Sequence, residues 1–226
     1  WGRGACAGFT NPCDPDDPGS SGSTFPEAGA FSYRRTSPGE APPPVEDFEW
    51  GFDQSGDWTV GENWTPSGGP PGVPTAQNPT EHTVLFGDVI ESDQTVFSNI
   101  AVSARAITFD NTNSYIVAGA GSVSLVQGTE GGNSSITVAQ GTHQFQLNVN
   151  LQNNTDVDVA TAATLEFNTQ LLLNGNTLNK TGLGTLAINN SVLTGGGTLN
   201  CAEGTCGGTG TISGDLNNEG GTISPG

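Results

Sequence analysis

The chain of 226 residues carries 23 acidic and 5 basic residues, a formal net charge of −18 at pH 7. This charge argues against a nucleic-acid partner, because phosphate binding needs clustered Lys and Arg, and only Arg34 and Arg35 are adjacent. No apolar run reaches the roughly 18 residues that a membrane-spanning helix requires, so we expect no membrane span. The chain begins with Trp1 rather than Met, which indicates a mature chain whose leader was removed or not included.

Residues 1–45 are predicted to form an extended, irregular, proline-rich arm. Thirteen of the 14 prolines lie at or before Pro79, and residues 1–79 hold only 8 of the 47 Val, Leu, Ile and Phe residues. Proline favours extended backbone, and so few apolar residues cannot build a core. Four aromatic residues spaced along the arm need another surface to pack against: Phe9, Phe25, Phe31 and Tyr33.

Residues 46–79 are predicted to form a tryptophan-rich capping segment that contains Trp50, Trp58 and Trp64. Two roles are open for these three residues. They cap the first coil of a repeat array and shield its apolar end, or they present ring faces on which a sugar stacks. Their spacing from the first predicted strands favours the cap.

Residues 80–226 are predicted to be all β. Short segments rich in β-branched and aromatic residues are separated by Gly and Asn, and in Thr155–Val159 the valines alternate with aspartates. No stretch shows the i, i+3, i+4, i+7 apolar spacing of a helix. The predicted strands cover residues 83–86, 106–109, 122–126, 135–138, 144–151, 164–167, 170–173 and 185–188.

A Gly-Thr-aliphatic triplet begins at Gly184, Gly197, Gly210 and Gly221, in steps of 13, 13 and 11 residues. Repetition of one triplet favours a parallel β-solenoid over an antiparallel sandwich, because equivalent positions in successive coils stack and present the same type of side chain. We therefore predict that the triplets stack directly over one another. Thr would face outward, the aliphatic residue inward, and Gly would lie at corners where φ is positive.

Residues 178–186, with the sequence LNKTGLGTL, resemble the autotransporter-associated β-strand repeat, whose core reads roughly L-x-K-x-G-x-G-T-L. The resemblance covers about residues 50–226 and is strongest after residue 178. It implies a right-handed parallel β-solenoid on or outside a bacterial cell, and it implies no reaction. Residues 207–216 and 220–226 continue the repeat, and GDW at 56–58, ENWT at 62–65 and GVP at 72–74 resemble the tryptophan-rich opening that precedes it.

The four cysteines form two close pairs, Cys6 with Cys13 and Cys201 with Cys206. This spacing favours two local disulfides made in an oxidising compartment, with free thiols as the second interpretation. A four-cysteine zinc site is disfavoured because neither pair has the CxxC spacing.

Asp14, Asp16 and Asp17 form an acidic cluster within the arm. Carboxylates bind calcium, so a calcium site at a subunit interface is one interpretation of this cluster. A hydrated, proline-braced turn is the other, because the EF-hand and RTX spacings are absent. No other cofactor is expected.

The residues show no pattern typical of an enzyme. Asp156 and Asp158 lie two apart on one strand, so we interpret them as a solvated face rather than as the paired carboxylates of a glycosidase. Lys180 and Arg105 are the only cations in the solenoid region, too few for elimination chemistry on acidic sugars. The two histidines are isolated from any Ser or Cys motif. We therefore expect no enzymatic activity.

The repeat motif continues to Gly226 without a polar or helical capping segment. An uncapped solenoid end exposes unpaired backbone groups and apolar residues such as Ile223. We therefore expect a secreted or cell-surface structural protein that assembles head to tail into a filament, with the arm of one copy packed on the solenoid of the next. The alternatives are a cell-surface adhesin or carbohydrate-binding module that contacts surface glycans, and a non-binding spacer.

Overall fold

The computed structural model describes residues 47–65, 82–127 and 131–226. These residues form an all-β parallel solenoid of about 7 turns, so the predicted fold class is confirmed. Among them the structure contains no α-helix, only a single 3-10 turn at Gly61–Asn63. The predicted arm lies outside the described residues.

Nineteen strands make up the described part of the solenoid. They are β1 Asp47–Trp50, β2 Gly56–Asp57, β3 Trp64–Thr65, β4 Thr83–Phe86, β5 Gln94–Phe97, β6 Ala101–Ala104, β7 Ala106–Asp110, β8 Tyr115–Leu125, β9 Ser134–Gln140, β10 Thr142–Leu151, β11 Thr155–Val159, β12 Thr164–Phe167, β13 Leu171–Leu172, β14 Thr177–Thr181, β15 Thr185–Ile188, β16 Ser191–Cys201, β17 Thr205–Gly208, β18 Thr211–Asn218 and β19 Thr222–Pro225. Each of the eight strands predicted from sequence overlaps one of these.

The strands stack into three parallel faces, and the chain visits each face once per coil. Face 1 contains β1, β4, β7, β9, β11, β14 and the C-terminal halves of β16 and β18. Face 2 contains β2, β5, the N-terminal halves of β8 and β10, and then β12, β15, β17 and β19. Face 3 contains β6, the C-terminal halves of β8 and β10, β13, and the N-terminal halves of β16 and β18.

The predicted stacking of the Gly-Thr-aliphatic triplets is wrong in register. Successive triplets lie on different faces, because one coil is longer than the step from triplet to triplet. The coil length follows from residues that stack on face 1: Asn179 lies 23 residues after Asp156, and Asn200 lies 21 residues after Asn179. Thr185 of the first triplet stacks instead on Thr205, and Thr205 stacks on Thr222 of the last triplet. The intervening rung, Gly204-Thr205-Cys206, carries Cys where the pattern has an aliphatic residue.

The predicted reason for the triplet glycines is also wrong. None of the four has a positive φ. A Cβ atom at Gly184, Gly197 or Gly210 would instead overlap a carbonyl oxygen of the preceding coil, for example that of Asn176 at Gly197. These positions therefore require Gly because two backbones approach each other closely.

The core consists of inward-facing side chains that repeat from coil to coil. Phe86 stacks on Phe109 with ring centroids 5.0 Å apart, and Phe145 stacks on Phe167 at 5.4 Å. All four rings are buried. Such aromatic pairs contribute about 0.5–1.5 kcal/mol beyond the area that they bury, so stacking of like residues stabilises the register between coils.

The close backbone approach at Gly197 predicts that a single methyl group there destabilises the solenoid. We expect Gly197→Ala to lower the free energy of unfolding by about 1–3 kcal/mol, the usual cost of overpacking, in denaturant titration. Gly87→Ala is the matched control, because the atom nearest to a Cβ there is a carboxylate oxygen of Glu49, the end of a flexible side chain, and not a backbone atom. Equal effects of the two substitutions would contradict the close-approach explanation.

Candidate functional site

Within the described residues, no strand covers the last coil, which β18 and β19 form. Its inward apolar side chains are Ile212, Leu216 and Ile223, which continue rows of core residues from the preceding coil, and Asn218 stacks on the inward Cys201. Leu216 is 41% exposed, whereas Leu199, on which it stacks, is fully buried. The three side chains, with Leu199 and Cys206, line an apolar cavity of about 170 Å³. We call the surface formed by β18 and β19 the end face.

The end face also has free strand edges. Within the described residues β18 pairs only with β16, and β19 pairs only with β17. The backbone N–H and C=O groups on the outer edge of both strands therefore have no strand partner there. An open edge of this kind is a template for pairing with another strand.

A ladder of polar side chains runs along the outside of face 1 and reaches the end face. The amide of Asn179 donates to Asp156, and the amide of Asn200 donates to the Oδ1 atom of Asn179 at 2.9 Å. The Oδ1 atom of Asn200 is buried and has no hydrogen-bond partner. Asn217 stacks on Asn200, but its amide donates to Glu219 at 3.1 Å. The ladder is therefore incomplete at its last rung.

The other end of the described solenoid is sealed by the three tryptophans of the capping segment. Trp50, Trp58 and Trp64 are 0%, 0% and 1% exposed. The Trp64 ring lies with its centroid 5.1 Å from that of each of the other two, and β3 pairs antiparallel with the edge of β1. The indole N–H of Trp64 donates to the carbonyl of Trp58. This arrangement is the one expected of a cap, and it leaves no ring face open for a sugar.

Cys201 and Cys206 form a disulfide, as their spacing predicts. Both residues occupy inward positions, on β16 and β17, and are 0% and 4% exposed. The bridge therefore closes the corner between these strands one coil before the end face. The other predicted pair, Cys6 and Cys13, lies outside the described residues.

Several other predicted site residues also lie outside the described residues: Asp14, Asp16 and Asp17 of the acidic cluster interpreted as a calcium site, and Phe9, Phe25, Phe31 and Tyr33 of the predicted assembly contact. In residues 47–65, 82–127 and 131–226, no group of three or more His, Cys, Asp or Glu side chains is placed to hold a metal ion. Asp156 and Asp158 lie on the outer side of face 1, where they accept hydrogen bonds from Asn179 and Thr181 respectively.

Lys180 is a buried cation whose structural role the sequence pattern did not predict. It occupies an inward position of β14 and is 0% exposed. Its ammonium group donates to the carbonyl oxygens of Thr181, Gly182 and Glu203 at 2.8, 2.6 and 3.2 Å. Burial lowers the pKa of Lys180, while the charges of Asp158 and Glu203 act in the opposite direction. Lys180 thus joins the corners of two successive coils.

His143 is fully buried in the core, and both of its ring nitrogens are engaged. Nδ1 accepts a hydrogen bond from the backbone N–H of Tyr115 at 3.1 Å, and Nε2 lies 2.9 Å from the carbonyl oxygen of Gln140. The ring stacks on Phe109 at 4.7 Å. Burial lowers the pKa of His143. The neutral imidazole with its proton on Nε2 satisfies both contacts.

Comparisons of the chain with family models, with curated proteins and with solved structures gave no match. The resemblance to autotransporter-associated repeats therefore stays a prediction. In the part of the chain that the structure describes, no helix has the length and apolar character needed to cross a membrane.

Because His143 is buried, we expect the free energy of unfolding to fall in mild acid. Because burial lowers its pKa in the folded state, the unfolded chain binds the proton first as the pH falls. The contribution of His143 to the free energy of unfolding is full above the unfolded pKa of about 6.5 and is lost as the pH falls through the folded pKa. Hydrogen bonds to the backbone of Gln140 and Asn111, and then the charges of Asp110 and Asp93, oppose this lowering of the pKa and reduce its size.

The measurement is denaturant titration of the wild type and His143→Gln between about pH 5 and pH 8. Gln keeps an acceptor for the Tyr115 N–H and does not titrate. The carboxylates contribute equally to both proteins, so a difference between the two curves comes from His143. We expect the free energy of unfolding of the variant to fall less steeply at the acid end. Parallel curves of the free energy of unfolding against pH would show that protonation of His143 does not destabilise the fold.

Proposed function

We propose that this chain is a non-enzymatic, extracellular structural β-solenoid that associates with a second copy of itself through the end face. The observation that carries the proposal is the open core at Ile212, Leu216 and Ile223 between two unpaired strand edges. An apolar surface combined with free backbone groups is the type of surface that binds by β-strand addition.

The buried ionisable side chains support a structural role over a catalytic one. The ammonium group of Lys180 is directed at three backbone carbonyls, and both ring nitrogens of His143 contact the backbone. A general acid or base has to reach a substrate proton, directly or through one water molecule. These two groups instead hold neighbouring segments of the solenoid together.

The end face is complemented by apolar side chains that cover Leu216 and Ile223, and by strand edges that pair with β18 and β19. Another end face of this chain offers both. The net charge of −18 opposes the approach of two copies, so added salt should strengthen the association by screening this repulsion.

Two further observations bear on location and on the alternative function. The disulfide between Cys201 and Cys206 is typical of oxidising compartments, which supports a secreted or cell-surface protein. Burial of Trp50, Trp58 and Trp64 argues against these rings as a sugar-stacking platform, so the adhesin alternative would have to use loops. A head-to-tail contact through the arm involves residues outside the described part of the chain and stays a prediction.

Substitution of one end-face side chain should abolish self-association. Leu216→Lys places a charge where the proposed contact buries an apolar side chain, so we expect the dissociation constant to rise about 100-fold or more. Analytical ultracentrifugation over a concentration series at about 0.15 M and higher salt measures the change.

Leu193→Lys is the matched control, because Leu193 is 39% exposed, nearly as much as Leu216, but lies on the side of the solenoid on β16. It should leave association unchanged. A wild-type chain that stays monomeric at all concentrations, or equal effects of the two substitutions, would overturn the proposal.

A further inference from the structure

We infer that the corner around Lys180 is a binding site for one monovalent cation, and that the ammonium group of Lys180 is its tethered occupant. The site lies inside the solenoid, so the inference does not depend on self-association. Its ligand class is an ion of the size of ammonium or potassium, bound by backbone carbonyl oxygens. We call residues 180–184, together with residues 202–204 of the next coil, the cation corner.

The cation corner matches the hydrogen-bonding capacity of one ammonium group. An ammonium group has three N–H donors, and those of Lys180 meet the carbonyl oxygens of Thr181, Gly182 and Glu203 at 2.8, 2.6 and 3.2 Å. Within the described residues, no backbone N–H donates to the carbonyl oxygen of Gly182 or of Glu203. Because the Lys180 side chain is fully buried, the cation is the partner of these oxygens inside the solenoid.

The distances favour a monovalent ion over a divalent one. Calcium takes about six to eight oxygen ligands at roughly 2.3–2.6 Å, and magnesium demands roughly 2.0–2.1 Å. The three carbonyl oxygens of the cation corner lie 2.6–3.2 Å from the Nζ atom, which is too far and too few for either ion. Backbone carbonyl oxygens are the groups that replace the hydration shell of potassium in its channels.

Gly204 closes the cation corner from the next coil. A Cβ atom at this position would lie 2.8 Å from the Nζ atom of Lys180 and 2.4 Å from the carbonyl oxygens of Gly182 and Gly184. The backbone of the loop that the Cys201–Cys206 disulfide encloses therefore lies directly against the cation. A side chain at residue 204 would overlap the ion and two of the oxygens around it.

The preceding coil satisfies the equivalent carbonyl oxygen without a cation. Thr181 stacks on Asp158, so the residue that corresponds to Gly182 one coil earlier is Val159. The carbonyl oxygen of Val159 accepts a hydrogen bond from the backbone N–H of Gly184 at 2.8 Å. The carbonyl oxygen of Gly182 receives the ammonium group instead. The need for a cation is therefore specific to the cation corner.

Two carboxylates lie near the cation corner and fix the segments that form it. Asp158 accepts a hydrogen bond from the hydroxyl of Thr181 at 3.1 Å, and the carboxylate of Glu203 accepts one from the backbone N–H of Gly182 at 3.1 Å. Both contacts orient residues whose carbonyl oxygens face the ion. The negative charges of Asp158 and Glu203 also favour a positively charged occupant over a neutral one.

Chemical rescue of Lys180→Ala tests the inference. This substitution removes the tethered ammonium group and leaves its three carbonyl oxygens without that donor. We expect ammonium or potassium chloride, at about ten times the dissociation constant of the ion, to lower the unfolding equilibrium constant of the variant about 10-fold in denaturant titration. Choline chloride at the same ionic strength is the salt control, because its quaternary ammonium group has no N–H donor and is larger than either ion.

Leu178→Ala is the matched control variant, because it also truncates a fully buried side chain of β14 but removes no charge. The wild type and Leu178→Ala should respond equally to the ammonium, potassium and choline salts. Rescue of Lys180→Ala alone by ammonium or potassium supports the inference. Equal responses of the three proteins, or rescue of Lys180→Ala by calcium chloride in place of the monovalent salts, overturn it.

The wild type gives a second measurement, which serves if Lys180→Ala does not fold. Lys180 is the only lysine of the chain, so ¹⁵N-lysine labelling gives a single side-chain signal in NMR spectra. A charged ammonium group held by three carbonyl oxygens should exchange its protons with water about 10-fold or more slowly than free lysine at the same pH. A neutral amine at pH 7, or exchange as fast as that of free lysine, overturns the inference.

Discussion

The structure depends on hydrogen bonding between the backbones of successive coils, which holds strands about 4.7–4.9 Å apart with each residue over its counterpart. This spacing explains why like residues stack in the core, as Phe145 does on Phe167, and why Asn179 and Asn200 form a ladder on the outside. It also excludes a side chain wherever a corner brings one backbone against another. Gly197 occupies such a position beneath the carbonyl of Asn176.

Sequence patterns predicted the fold class, eight of the strands and the disulfide between Cys201 and Cys206, because each of these depends on local composition or spacing. The register could not be predicted from the triplets. The same Gly-Thr-aliphatic sequence occurs on all three faces, so its 13-residue step measures the distance from one face to another rather than the length of a coil. The rung at Thr205 does not stand out in the sequence because it carries Cys206 in place of an aliphatic residue.

The candidate site was predictable in part. The repeat pattern indicated an open end that includes Ile223, and the tryptophans suggested a cap. The inward position of Lys180 was already implied by its alternation with Leu178 on β14, yet a cation in an apolar row is normally assigned to the surface. The sequence could not show that three carbonyl oxygens at neighbouring corners point toward the ammonium group of Lys180.

The disulfide between Cys201 and Cys206 has a consequence for how the molecule unfolds. Repeat arrays lose order from their ends, since each repeat is held mainly by its neighbours. Within the described residues, β18 and β19 pair with one preceding coil only. The bridge joins two residues five apart within the preceding coil, so it keeps the corner between β16 and β17 closed even where the pairing of that coil with its neighbours is lost.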